Sequence, residues 1–353
     1  MGLRPGLAVL LVLASACGAA NPGLSTSSRV SSARTTPSTP PSPSAATDGC
    51  MARTPCPSQL PVGGLAFDVD RETLVVFGGY SQGASAVLNE TWEWNAATGW
   101  IQLHPATIPA ARGMTAMAYD EARHVTLMYG GRHTVGGTLP CGEVGAEICS
   151  ADTWTWNGTD WTQLYPNENP PPFVPTMTYD PSNAAVLLYN INGNVPETWI
   201  WDGASWDLKA SGPSNPQPSR GTPVMASDPA TRRVVMFGGF TPGGGDVNTM
   251  WSWAGQSWTS LATDAPFPKL QAAAAADVDR HALLGQQAGP AQTWAWDGVQ
   301  WTQLHPLHEP TASASGLFAD PKSHQVVLVG TNFTHGNAIE IWAWNGDDWR
   351  QLG

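Results

Sequence analysis

Along residues 60–353 the apolar positions fall in short runs rather than at helical spacing. Thr73–Phe77 (TLVVF) and Arg233–Phe237 (RVVMF) are rich in β-branched residues and bounded by Asp, Asn, Pro or Gly, the pattern of short strands. A second pattern is Trp-x-Trp, as in TWTWNGTDWTQL at 153–164. Alternate residues of a strand face one side, so both indoles share a face; on a helix they would stand about 200° apart. Asn157-Gly158 is a hairpin signal. Two registers are open: a two-residue loop sets Trp154 opposite Trp161, and a loop of Asn157–Asp160 sets Trp156 opposite Trp161. Either puts all three rings on one face.

The Trp pattern recurs as TWEWNAATGWIQL (91–103), TWTWNGTDWTQL (153–164), TWIWDGASWDL (198–208), MWSWAGQSWTSL (250–261), TWAWDGVQWTQL (293–304) and IWAWNGDDWRQL (341–352), starting 62, 45, 52, 43 and 48 residues apart. Six copies of three account for all 18 tryptophans. The first copy has one extra residue before Trp100, which predicts a bulge or longer loop there. Between copies an aspartate precedes a polar turn, an apolar run and often Gly-Gly, as in FDVDRETLVVFGG (67–79) and YDEARHVTLMYGG (119–131). Each period thus supplies four strands: A ending at the aspartate, B at Gly-Gly, C with Trp-x-Trp, and D with the third Trp. Six four-stranded antiparallel units predict an all-β, six-bladed propeller over 60–353.

Apolar strand, Gly-Gly, spacer and a Trp on each of the last two strands resemble the kelch repeat of the galactose oxidase-type propellers, over residues 61–352. The resemblance implies architecture more than function, since one frame serves many roles. It implies indoles packed between blades, each worth about 3–5 kcal/mol by the cost of Trp→Ala, rather than an exposed sugar platform. Many kelch rings close by completing one blade from both chain ends. Here each blade reads as contiguous, so closure rests on packing of the first blade against the last, or on an outer strand from residues 50–60.

The N-terminus changes the picture of location. Arg4, the apolar run Leu7–Leu13 and the small residues Ala14-Ser15-Ala16 predict a signal peptide at 1–16. Leu13-Ala14-Ser15-Ala16-Cys17 resembles the lipobox of bacterial lipoproteins, with Ala14 where that family has leucine; it implies lipid on Cys17, plain secretion being the alternative. Residues 17–59, rich in Ser, Thr and Pro, cannot bury enough surface to fold and read as a tether spanning roughly 30 Å. With Cys17 lipidated, Cys50, Cys56, Cys141 and Cys149 remain, and the pairing with least chain closure is Cys50–Cys56 with Cys141–Cys149. A net charge of −12 repels phosphate backbones and argues against nucleic acid. The membrane is reached only through the lipid, and the chain reads as a monomer.

Candidate chemistry sits on the loops. The A–B and C–D turns are short, whereas the B–C loops at 80–89, 132–151, 240–247 and 332–338 are long and varied, so binding is expected on their face. Eight residues before the strand-A aspartates stand Arg112, Arg220 and Lys269. In kelch proteins an arginine after proline near this position faces the central opening and contacts anions. Glu90, Asp152, Glu197 and Glu340 stand two residues before the first Trp of their copies, at the same strand end. These charges form either an anion-binding rim or internal pairs such as Arg112–Asp152. Tyr80, Phe240 and Phe333 lie on B–C loops, as ligand contacts or loop anchors. His133 and His335, without matching tyrosines, make a poor copper set, and neither metal nor cofactor is expected. The sequence therefore predicts non-catalytic binding of an envelope protein or glycan. An oxidase or hydrolase at the ring centre, using the rim carboxylates, and a structural envelope scaffold are the alternatives.

Overall fold

The structure is a computed structural model that describes residues 56–57, 64–81, 86–133, 149–172, 175–192, 195–212, 215–216, 223–239, 248–266, 272–287 and 291–352. Blade one comprises β1 (Gly64–Asp68), β2 (Thr73–Phe77), β3 (Thr91–Asn95) and β4 (Gly99–Leu103). Blade two comprises β5 (Ala116–Asp120), β6 (Val125–Tyr129), β7 (Thr153–Trp156) and β8 (Trp161–Leu164). Blade three is β9 (Thr176–Asp180), β10 (Ala185–Asn192), β11 (Val195–Trp201) and β12 (Trp206–Ser211). Blade four is β13 (Val224–Asp228), β14 (Arg233–Phe237), β15 (Thr249–Trp253) and β16 (Trp258–Asp264). Blade five is β17 (Ala272–Asp277), β18 (Ala282–Gln287), β19 (Gln292–Trp296) and β20 (Trp301–Gln303). Blade six is β21 (Ser313–Asp320), β22 (Gln325–Asn332), β23 (Ala338–Trp344) and β24 (Trp349–Gln351). Each blade is one antiparallel sheet in chain order. The first strands β1, β5, β9, β13, β17 and β21 touch in sequence and back to β1, so the six blades form a ring.

The repeated aspartate ends strand A because it organises the turn. Asp68 Oδ1 accepts the backbone N–H groups of Asp70 and Arg71, each at 3.0 Å, and Asp120, Asp180, Asp228, Asp277 and Asp320 accept in the same way. The fourth turn residue is left-handed in all six blades: Glu72, His124, Ala184, Arg232, His281 and His324 have φ between 49° and 57°. In the C–D turn Asn157 Oδ1 accepts from Thr159 and Asp160 N–H, both at 2.9 Å. That favours the four-residue loop, and Trp156 pairs with Trp161. The other copies share this register; the first, with its extra residue, pairs Trp94 with Trp100 around a longer turn.

Fourteen tryptophans are buried and the other four, Trp100, Trp251, Trp294 and Trp301, are partly buried, which answers the core-or-platform question in favour of the core. In blades two to six the paired indoles of each copy lie 5.3–5.6 Å apart and tilted. A residue at the B-strand end of one blade meets the last indole of the next: Phe77 on Trp161, Tyr129 on Trp206, Tyr189 on Trp258 and Phe237 on Trp301. The ring closes by packing. Phe67 stacks on Phe318 at 6.4 Å, and Val76, Trp92, Trp94, Val329 and Ile341 share one core between first and last blades. Blade six ends at β24 in the described residues; of residues 50–60 only 56 and 57 are described, and neither belongs to a strand.

Candidate functional site

Burying an indole leaves its N–H in need of an acceptor, and this decides where the rim charges point. Trp92 Nε1 donates to Glu90, Trp154 to Asp152, Trp199 to Glu197 and Trp342 to Glu340, at 2.8–3.0 Å. Glu197 also accepts from Asn192, and Glu340 from Thr311 and Asn332. Arg112 is 1% exposed and meets both oxygens of Asp152, at 2.6 and 2.9 Å. It also donates to the carbonyls of Ala110 and Gly130. Burial pushes the Asp152 carboxyl up, but the hydrogen bonds and charge of Arg112, with the Trp154 N–H, outweigh it and hold the group below the ordinary carboxylate range.

The expected rim therefore divides. Arg112, Glu90, Asp152, Glu197 and Glu340 do gather at one strand end, but as internal struts of the Trp core rather than as free ligand contacts. Arg220, Lys269 and Phe240 lie outside the described residues. Tyr80 is buried, pairs across its loop with Val87 and packs on Gly113, the loop-anchor role. Phe333 is 59% exposed. His133 bridges the Ala111 carbonyl and the Ser150 hydroxyl, at 2.7 and 2.6 Å, while exposed His335, in blade six, contacts its neighbour Thr334. Among the described residues no three metal-ligating side chains cluster. Cys56 and Cys149 are described but Cys50 and Cys141 are not, so the disulfide pairing lies outside the described residues, as do Cys17 and the tether.

The ring axis holds two cavities, back to back. One, of ≈ 480 Å³, opens on the B–C loop side: its wall includes Thr176, Ser313, Ser315, the backbone of Gly238 and Gly239, and Phe333. Among the described residues, the hydroxyls of Thr176, Ser313 and Ser315 find no hydrogen-bond partner. No charged side chain is among its described lining residues. The other, of ≈ 360 Å³, opens at the A–B turns. Met117, Met177, Met225, Ala274 and Leu317 line both and separate them. Sequence reasoning missed this second mouth, because it counts loop length and not the small side chains that leave the axis open.

It also missed two inter-blade devices that the repeats encode. The residue before each first Trp is Thr91, Thr153, Thr198, Met250, Thr293 or Ile341. The threonines accept the last indole N–H of the next blade. Arg71, three residues after its aspartate, reaches Glu93 and lies against the next blade's Gly158, where a Cβ would stand 3.0 Å from its guanidinium carbon.

Fold and site together define a six-bladed all-β propeller with an axis open at both ends. Sequence comparison matches the chain to no family model and to no curated protein. Among solved structures it is similar to YjhT, with 11% identity over 86% of this chain and 99% of that one and a TM-score of 0.54. It is also similar to XC5397 from Xanthomonas campestris, described as a gluconolactonase, with 14% identity over 83% of this chain and 87% of that one and a TM-score of 0.50. At such identities the likeness is one of fold.

Proposed function

We propose that this protein is an exported kelch-like propeller that binds a neutral, hydroxyl-rich glycan at the cell envelope, without catalysis, through the cavity on its B–C loop side. Residues 1–16 are the export signal, Cys17 carries the lipid, and 17–59 hold the propeller off the membrane, with disulfides Cys50–Cys56 and Cys141–Cys149. The observation that carries the reading is the ≈ 480 Å³ opening, whose lining combines Thr176, Ser313 and Ser315, without hydrogen-bond partners among the described residues, with the exposed Phe333. Hydroxyls in want of partners beside an aromatic face match the two sides of a sugar ring. The charges that would serve an acid–base pair are held by indoles and by Arg112, which supports binding over hydrolysis.

The test is a glycan array and titration of the best hit with the full chain and with Phe333→Ala and Ser315→Val. Binding by the native chain that falls at least about tenfold (about 1.4 kcal/mol) in each variant supports the proposal. Binding indifferent to both changes, or no glycan binding, overturns it. Membrane fractionation of Cys17→Ser tests the anchor separately: release of the variant into the soluble fraction is the expected result.

A further inference from the structure

The cavity at the opposite, A–B end carries different chemistry. Phe67, Tyr119, Tyr179 and Phe318 wall it over a floor of Met117, Met177 and Met225. Its charged lining residues are Glu121, Asp228 and Arg232. Asp228 is buried and consumed by its own turn, accepting from Ala230 N at 3.0 Å and Thr231 Oγ1 at 2.7 Å. Glu121 and Arg232 are exposed at the rim, and among the described residues neither side chain makes a hydrogen bond or ion pair.

The neighbouring charges are already engaged. Arg71 is held by Asp68 and Glu93, Arg123 by Asp120, and Arg280 by Asp277. Lys322 donates to the Asp70 carbonyl, and the Asp70 carboxylate takes Tyr119 and His124. Glu121 has solvent on one side and the cavity wall on the other; that desolvation, and then Asp70 and Asp120, push its carboxyl pKa up. A carboxylate so placed lacks a cation, and an aromatic wall beside it favours the same kind of partner. Arg232 offers a planar fork to a carboxylate.

We propose that this cavity binds a short apolar peptide by its two free termini, the ammonium at Glu121 and the carboxylate at Arg232, with its side chains against the methionine floor. Glu121 stands on blade two and Arg232 on blade four, with Tyr179 and Pro181 of blade three between them on the lining. With the two charges two blades apart, the pair suits a peptide, whose charged ends are separated by its backbone, and not a single amino acid, whose charges flank one carbon. Methionine side chains adapt to varied apolar groups, so selectivity rests on the termini. The site lies at the other end of the axis from the glycan opening, and the two stand or fall separately.

The test is calorimetric titration of the full chain with tripeptides of Phe, Leu and Met, each free, N-acetylated and C-amidated. The free peptides bind saturably, and each cap weakens binding by about tenfold or more (about 1.4 kcal/mol). In Glu121→Gln the penalty for N-acetylation disappears while that for amidation stays; in Arg232→Gln the reverse holds. Both residues are exposed, and an unchanged melting temperature confirms that the variants fold. Phe333→Ala, at the far mouth, leaves every peptide affinity unchanged. Absence of saturable binding by any free tripeptide, or an acetylation penalty that persists in Glu121→Gln, overturns the proposal.

Discussion

The Trp161 indole donates to the Thr91 hydroxyl at 2.9 Å, across the boundary between blades two and one. Both groups are buried, so neither finds water if the other is removed. The same bond joins Trp206 to Thr153, Trp258 to Thr198 and Trp349 to Thr293, while Trp301 meets the sulfur of Met250 at 3.0 Å. At the closing seam Ile341 takes the threonine's place and Trp100 packs on its apolar cluster, so closure there is hydrophobic. Thr91→Val keeps shape and removes the acceptor. It is expected to cost about 1–3 kcal/mol, the price of a buried unpaired donor, read as a lower urea midpoint at unchanged slope. An unchanged midpoint would show that the indole is held by packing alone.

Arg112 and Asp152 give a pH-dependent prediction. The Asp152 carboxyl is held below its ordinary pKa of 3.8, so the pair contributes stability that is present in full above that value. The contribution is lost as pH falls from about 3.8 through the depressed folded pKa. Asp152→Asn is expected to lower stability at pH 7 by about 3–5 kcal/mol, since it leaves a buried guanidinium unpaired. The gap between variant and native chain narrows toward pH 3. Urea midpoints of both proteins across that range decide it; a constant gap would place the stabilisation elsewhere.

The ring was legible because its determinants are local and repeated. Trp-x-Trp fixes a strand face, Asp and Asn fix turns, and six repetitions remove ambiguity. The charges were not legible in the same way. Arg112 and Asp152 stand 40 residues apart, and a one-dimensional count places both at one strand end without saying whether they face each other or the axis. What settles it is the indole N–H two residues beyond each carboxylate, a demand visible in the spacing Glu90–Trp92, Asp152–Trp154, Glu197–Trp199 and Glu340–Trp342 once the rings are known to be buried. The threonine before the first Trp was also on view in four copies, but its partner lies in the following repeat. The Met-floored axis could not be read, because it depends on how six strands converge.

Ala184 holds φ at 49°, a conformation that places its Cβ against its own backbone. Its side chain is exposed, while its carbonyl accepts from Arg123, a bond that any residue can supply. Ala184→Gly therefore relieves strain at the expense of some unfolded-chain entropy, with a net gain of about 0.5–1 kcal/mol. The melting temperature of the variant is the check. A decrease would mean that the turn is not left-handed in solution.

Gln286 occupies in blade five the position held by Phe77, Tyr129, Tyr189 and Phe237 in the first four blades, each of which meets the last indole of the following blade. It is 0% exposed, and neither its amide oxygen nor its nitrogen has a hydrogen-bond partner. Two polar atoms shut away from solvent without partners, beside Thr293, which does bond Trp349 and Glu309, destabilise this blade interface. Gln286→Met conserves length and approximate volume, so it removes the polar penalty without overpacking the neighbouring strands. The variant is expected to unfold at higher urea, with a gain of about 1–3 kcal/mol. Gln286→Ala separates the two effects. It also deletes the unsatisfied amide but opens a cavity, so it should fall below the methionine variant by the cost of the lost packing. If the methionine variant is instead less stable than the native chain, the amide is satisfied in solution, by a bound water or a rotated neighbour.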